Sequence, residues 1–229
     1  MSKLSRWVFV ISGWFLADMA MAAVNHAAAA TVVQIRGVDP QGRMYFGSGV
    51  VTGPGTVVTN CHVVRGGGKI AIFRGAESYP VNRERIDVER DLCLLDAPGI
   101  KTPRAQLGRI SGLKSGQPLY FYGYPRALGI SFSEGAINAL HSYLGSRIIE
   151  TSAFFTLGGS GGGLFDRKGK LVGLATFLAP GHSGGYYAIP SEWIASVKAR
   201  PLVEVAPLQG LSFWEDPAQF PAFLNRPGH

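Results

Sequence analysis

Beyond residue 30 the apolar positions fall into short runs separated by turn formers. Residues 31–35 (TVVQI) make the first run. A turn at Asp39-Pro40-Gln41-Gly42 leads to Met44-Tyr45-Phe46 and on to Gly47-Ser48-Gly49-Val50-Val51. A Gly53-Pro54-Gly55 turn then precedes 56–59 (TVVT). Runs rich in Val, Ile, Thr and aromatic residues, punctuated by Gly, Pro and Asn, predict strands joined by tight turns. The same rhythm predicts strands at 69–73, 91–95, 116–124, 130–140 and 148–152. Residues 163–165 and 170–177 flank an Asp166-Arg167-Lys168-Gly169 turn and predict a hairpin, and 186–189 predict a last strand. Residues 191–200 carry helical spacing instead: Trp193, Ile194 and Val197 share a face, and Ser191 stands at the N-cap position. Strands at this spacing predict an all-β barrel or sandwich.

Composition supports a packed body. With 46% hydrophobic and 16% charged residues, the 229-residue chain is too apolar for disorder. It is long enough for one substantial domain or two lobes sharing an interface. The 31 glycines and 14 prolines suit many turns. The net charge of +7 is spread over scattered Lys and Arg, without the clustered basic face of a nucleic-acid binder.

The first residues change the picture of where the protein works. Lys3 and Arg6 precede an apolar run from Trp7 to Leu16, and small residues follow. That is the layout of a secretory signal peptide, with cleavage after Ala22 in Ala20-Met21-Ala22 and a cut as late as residue 30 as the alternative. Asp18 and the short apolar core argue against a stable membrane span. The expected organisation is therefore a signal peptide at 1–22, one domain at 31–200, and an irregular tail at 201–229. Phe213, Trp214, Phe220 and Phe223 would pack that tail on the domain. An exported protein sees an oxidising compartment, so Cys61 and Cys93 are either bonded to each other or two buried thiols. His26, His141, His182 and His229 are dispersed, so no metal and no cofactor is expected.

Three segments concentrate the chemistry. Gly158-Gly159-Ser160-Gly161-Gly162-Gly163-Leu164 puts a serine among glycines, where the backbone can expose a hydroxyl and aim amides at a developing oxyanion. Val57-Val58-Thr59-Asn60-Cys61-His62-Val63-Val64 runs a strand straight into a histidine. Arg90-Asp91-Leu92-Cys93-Leu94-Leu95 opens an apolar strand with an acid. Singly these read as a flexible loop, a structural histidine and a turn residue. Together they come in the order His, Asp, Ser, each embedded in apolar strand sequence.

These segments resemble the trypsin-like serine proteases, and more closely the HtrA/Deg branch. Gly47-Ser48-Gly49 with Thr59-Asn60-Cys61-His62-Val63 is similar to that branch's GSG…TNxHV segment, and Gly158 to Leu164 to its GNSGGPL segment. Tyr122-Gly123-Tyr124-Pro125, Val172-Gly173-Leu174-Ala175-Thr176 and Tyr187-Ala188-Ile189-Pro190 are similar to further segments in the same order, so the likeness spans about residues 31 to 197.

The resemblance implies two six-stranded antiparallel β-barrels with the site between them, and a serine endopeptidase acting through an acyl-enzyme on protein or peptide substrates. It implies Ser160 as nucleophile, His62 as general base and Asp91 as the residue that orients the histidine. It implies an oxyanion hole at Gly158, Gly159 and Ser160, formed by the N–H groups of the first and last. Thr176 would hydrogen-bond the Asp91 carboxylate. The substrate pocket would be formed by Phe154, Phe177, Leu178 and Gly185, none of them charged. A buried Lys or Arg there would lack a counter-ion, which implies cleavage after small or medium apolar residues. Gly159 stands where relatives carry Asp or Asn, and Gly163 where they carry proline, which would loosen the loop. About thirty residues follow position 200, too few for a PDZ domain. A catalytically silent or chaperone-like binding protein of the same fold is the alternative; intact His62, Asp91 and Ser160 weigh against the silent form.

Overall fold

The computed structural model describes residues 26–178 and 185–224, so the segment read as a signal peptide lies outside the described residues. The first lobe holds β1 (Val32–Val38), β2 (Met44–Gly53), β3 (Thr56–Thr59), β4 (Lys69–Arg74), β5 (Glu77–Val81), β6 (Arg83–Asp87) and β7 (Leu92–Asp96), with a one-turn helix α1 (Cys61–Val64) after β3. The second lobe holds β8 (Pro118–Gly123), β9 (Ser131–Tyr143), β10 (Ser146–Thr151), β11 (Gly163–Phe165), β12 (Leu171–Leu178) and β13 (Tyr186–Pro190). A short helix α2 (Ile194–Lys198) and β14 (Val203–Glu204) follow.

The second lobe closes as a six-stranded antiparallel barrel in the order β10-β13-β12-β11-β8-β9. The first is a curled antiparallel sheet in the order β14-β6-β7-β3-β2-β1-β4-β5. Its two ends are joined by chain continuity: Asn82 alone separates β5, at one edge, from β6. The tail enters this sheet, because Val203 and Glu204 pair with Glu84 and Arg83. β5 and β6 went unforeseen because their sequences, ESYPV and RERID, are polar. Pro80 is tolerated in β5 because that strand lies at the sheet edge.

The side-chain period of two explains where the core sits. In β8, Leu119 and Phe121 point into the second barrel, whereas Tyr120 and Tyr122 join the interface between the lobes. In β7, Cys93 and Leu95 face the interior of the first lobe, and Leu92 and Leu94 face the interface. Both faces of β7 are thus covered, which is why its sequence is a continuous apolar run. The helix after β13 forms, with Trp193, Ile194 and Val197 buried. Ser191 does not cap it; its hydroxyl donates to the Leu171 carbonyl at 2.9 Å, and a 3-10 turn (Ser191–Trp193) leads in. Among the described residues no helix is long and apolar enough to cross a membrane.

Phe121 is almost fully buried, and its ring lies beneath Gly159 and Gly162. Phe121→Ala is expected to lower the unfolding free energy by about 3–5 kcal/mol in urea titrations. A loss below about 1 kcal/mol would contradict this packing.

Candidate active site

The histidine and the acid are neighbours because their strands are. Thr59 at the end of β3 pairs with Cys93 in β7. Asn60 stays extended, and α1 then turns His62 away from the sheet. Asp91, just before β7, has φ 54, a left-handed conformation that aspartate adopts more readily than most residues. Its buried carboxylate meets His62 twice: the His62 backbone N–H donates to Oδ1 at 2.8 Å, and Nδ1 lies 2.6 Å from Oδ2. Nδ1 is therefore the protonated nitrogen facing the acid, and Nε2 is left for other partners. Cys61 and Cys93, the residues beside this pair, form a buried disulfide with Cα atoms 4.9 Å apart.

Asn60 leaves the helix uncapped for a physical reason. Its side-chain amide donates to the Asp91 carbonyl at 3.0 Å and to Thr176 Oγ1 at 3.1 Å, joining the two lobes beneath the site. Thr176, expected on the Asp91 carboxylate, instead donates to the Leu174 carbonyl at 2.7 Å and reaches Asp91 only through Asn60. The carboxylate's third donor comes from the tail: Trp214 Nε1 donates to Oδ2 at 3.0 Å.

The serine loop is fastened rather than loose. Ser48 N–H donates to the Ser160 carbonyl, and Ser48 Oγ donates to the Gly158 carbonyl while accepting from Tyr124 N–H. The N–H groups of Gly161 and Gly162 go to the Ala175 and Gly159 carbonyls. Gly158 at φ +87 and Gly161 at φ +80 hold conformations that side chains disfavour, and a Cβ on Gly161 would lie 2.1 Å from the Ser48 carbonyl oxygen. The Gly159 N–H is turned to the Thr156 carbonyl at 2.7 Å, in keeping with its place between the two expected donors. Among the described residues no hydrogen bond uses the N–H of Gly158 or of Ser160. The Ser160 hydroxyl donates to the Thr176 carbonyl at 3.2 Å.

The electrostatics follow from this geometry. Burial disfavours charge on His62, but the Asp91 charge and hydrogen bond outweigh it. Glu215 adds to them, Arg65 opposes, and the net effect raises the imidazole above its ordinary value. Glu215 is pushed up by burial but held lower overall by the Arg65 guanidinium and Ser212.

A buried acid holding a histidine on one lobe, with a serine beside free backbone amides on the other, is a recurrent hydrolytic arrangement. Residues 47–174 match the family model described as "Trypsin-like peptidase domain". The chain belongs to the trypsin-like peptidase family. It is 33% identical over 156 residues to "Probable periplasmic serine endoprotease DegP-like" of Chlamydia pneumoniae, covering 63% of this chain and 32% of the relative. The chain thus spans about a third of that relative's length. Its fold is similar to a solved HtrA-type protease, AlgW with a tripeptide (TM-score 0.70, 28% identity, 78% of this chain and 62% of that one). It is also similar in fold to the Rv3671c protease of M. tuberculosis in its active form (TM-score 0.73, 22% identity, 84% and 89%).

Set in this family, the predicted pocket residues divide. Phe154 and Leu178 are half-exposed, at 53% and 50%, while Gly185 is buried against Tyr187. Phe177 is buried and sandwiched between Tyr187 and Trp214, each with its ring centroid 4.9 Å away and nearly parallel. Ser48, Asn60 and Trp214 were missed as site residues. Ser48 and Asn60 do sit in the quoted motifs, GSG and TNCH; for Trp214 the sequence carries only an aromatic in a Pro-rich tail.

The disulfide closes a loop with a sequence separation of 32 around both His62 and Asp91. The Cys61→Ala/Cys93→Ala double variant is expected to lose about 2–4 kcal/mol of stability. Alkylation of the unfolded, unreduced protein should modify neither cysteine; two modified cysteines would refute the bond.

Proposed function

We propose that the protein is an exported serine endopeptidase. The observation that carries this reading is the doubly bonded His62–Asp91 pair, joined through Asn60 to Thr176, whose carbonyl accepts from Ser160, in a loop whose Gly158 and Ser160 amides have no other partner among the described residues. Ser160 turns about χ1, a low barrier for a partly exposed side chain, and exchanges the Thr176 carbonyl for His62 Nε2. His62 takes the hydroxyl proton as Oγ attacks the scissile carbonyl, and Asp91 stabilises the imidazolium. The Gly158 and Ser160 N–H groups receive the oxyanion. The imidazolium then protonates the leaving amine, and water, activated by the same histidine, releases the acyl group.

Substrate preference follows from the expected set Phe154, Phe177, Leu178 and Gly185, all uncharged, of which Phe154 and Leu178 are exposed to a substrate. A basic side chain would be desolvated there without a counter-ion from these four, so cleavage falls after small or medium apolar residues. Export is supported by the leader-like sequence and by the periplasmic name of the relative. Ala28 is buried in the core ahead of β1, which favours cleavage near residue 22 over a cut at 30. The silent binding protein is the reading that Ser160's bond to the Thr176 carbonyl would favour.

Profiling a peptide library with residues 23–229 distinguishes these. Cleavage by the wild type after apolar residues, abolished in Ser160→Ala, is expected. No cleavage by either, or preference for Lys and Arg, would count against the enzyme or the pocket respectively.

The raised imidazole fixes the sign of the pH dependence. The base must be neutral, so kcat/KM should rise with pH through a midpoint above 6.5, the ordinary histidine value. A midpoint below 6.5 would contradict the Asp91 coupling.

A further inference from the structure

The tail was expected only to pack on the domain, yet residues 212–215 touch both the segment that carries the histidine and the one that carries its acid. Glu215 forms a two-point ion pair with Arg65, which ends the helix carrying His62. The Phe213 N–H donates to the Glu89 carbonyl at 3.1 Å, two residues before Asp91. Phe213 is buried against Tyr143 and Phe177. Ser212 N–H donates to Glu215 Oε2 at 2.9 Å, and Glu215 N–H to the Ser212 carbonyl, closing the turn that presents Trp214. The indole then makes three contacts at once. Its N–H goes to Asp91 Oδ2 at 3.0 Å, its face stacks on Phe177, and its ring meets the His62 imidazole edge-on at 5.3 Å and 81°.

Oδ2 is the oxygen that also holds His62 Nδ1. A carboxylate oxygen shared by two N–H donors has a fixed direction, and an indole wedged beside the imidazole restricts the ring's rotation. Given the peptidase reading of this site, on which the inference rests, we propose that Trp214 is a positioning residue of the triad, supplied by the C-terminal segment. It completes the coordination of Asp91 and holds the His62 ring in line with Ser160. The tail is then part of the catalytic apparatus, fastened to it through Arg65–Glu215.

The variant that separates positioning from packing is Trp214→Phe, which keeps an aromatic ring to stack on Phe177 and removes the N–H. The charged groups acting on His62 are Asp91, Glu215 and Arg65, all of them retained. Without the indole donor, Oδ2 is freer to bind the imidazolium. The acidic limb of kcat/KM should therefore move to higher pH, and kcat should fall about tenfold with KM unchanged, in line with loss of a hydrogen bond to a charged group.

A second measurement does not need activity. The His62 Nδ1–H proton resonance, recorded in Ser160→Ala with and without Trp214→Phe, should shift and broaden when the indole donor is lost. A peptidase whose pH profile, kcat and His62 resonance are all unchanged by Trp214→Phe would overturn the positioning role, even if its melting temperature fell. A shifted resonance in a protein that cleaves no peptide would leave the positioning role standing and sink the peptidase reading instead.

Discussion

A single buried charge organises the site. The Asp91 carboxylate is out of water, and its two oxygens accept three N–H donors: the His62 backbone, the His62 ring and the Trp214 indole. Leaving such an anion short of donors would be costly. The surrounding structure meets that demand: β3 and β7 pair so that His62 arrives beside Asp91, the disulfide ties the two segments, and Asp91 accepts a positive φ. The same demand is met in part from the tail, whose turn at Ser212–Glu215 presents Trp214 to the carboxylate.

The serine side obeys a different constraint, steric rather than electrostatic. The loop must bring backbone amides, not side chains, to face the cleft, and it must pass close to the first lobe. Glycine at 158 and 161 meets both needs. Glycines usually make a loop mobile, but here the loop's order comes from its partners. Ser48 bonds Ser160 through its backbone N–H and Gly158 through its hydroxyl, so the first lobe sets the conformation of the second lobe's loop. The two lobes are therefore joined at both halves of the site, through Asn60 to Thr176 and through Ser48 to the serine loop.

Much of this was legible in the sequence. Alternating and continuous apolar runs such as Leu119–Tyr122 and Leu92–Leu95 announced strands buried on one or both faces, and the TNCH, DLCLL and GGSGGG segments pointed to residues that the fold gathers around one site. What escaped notice was what tertiary context decides. β5 is polar and lies at the sheet edge, while β6 carries buried acids, of which Asp87 is paired by Arg90 and Arg200. Ser191 has the chemistry of an N-cap but finds a better acceptor in Leu171. Thr176 was assigned the Asp91 carboxylate by resemblance, and a tryptophan from a distant, irregular segment occupies that position. No local pattern encodes a contact between residues 91 and 214; it exists because Arg65–Glu215 and Phe213 fix the tail's path.

The central claim is that Ser160 is a nucleophile activated by His62. Mass mapping of the adduct formed with a fluorophosphonate probe tests it most directly. The account predicts a single modification, on Ser160, that is lost in His62→Ala. An unlabelled folded protein, or a label carried on another residue, would contradict it.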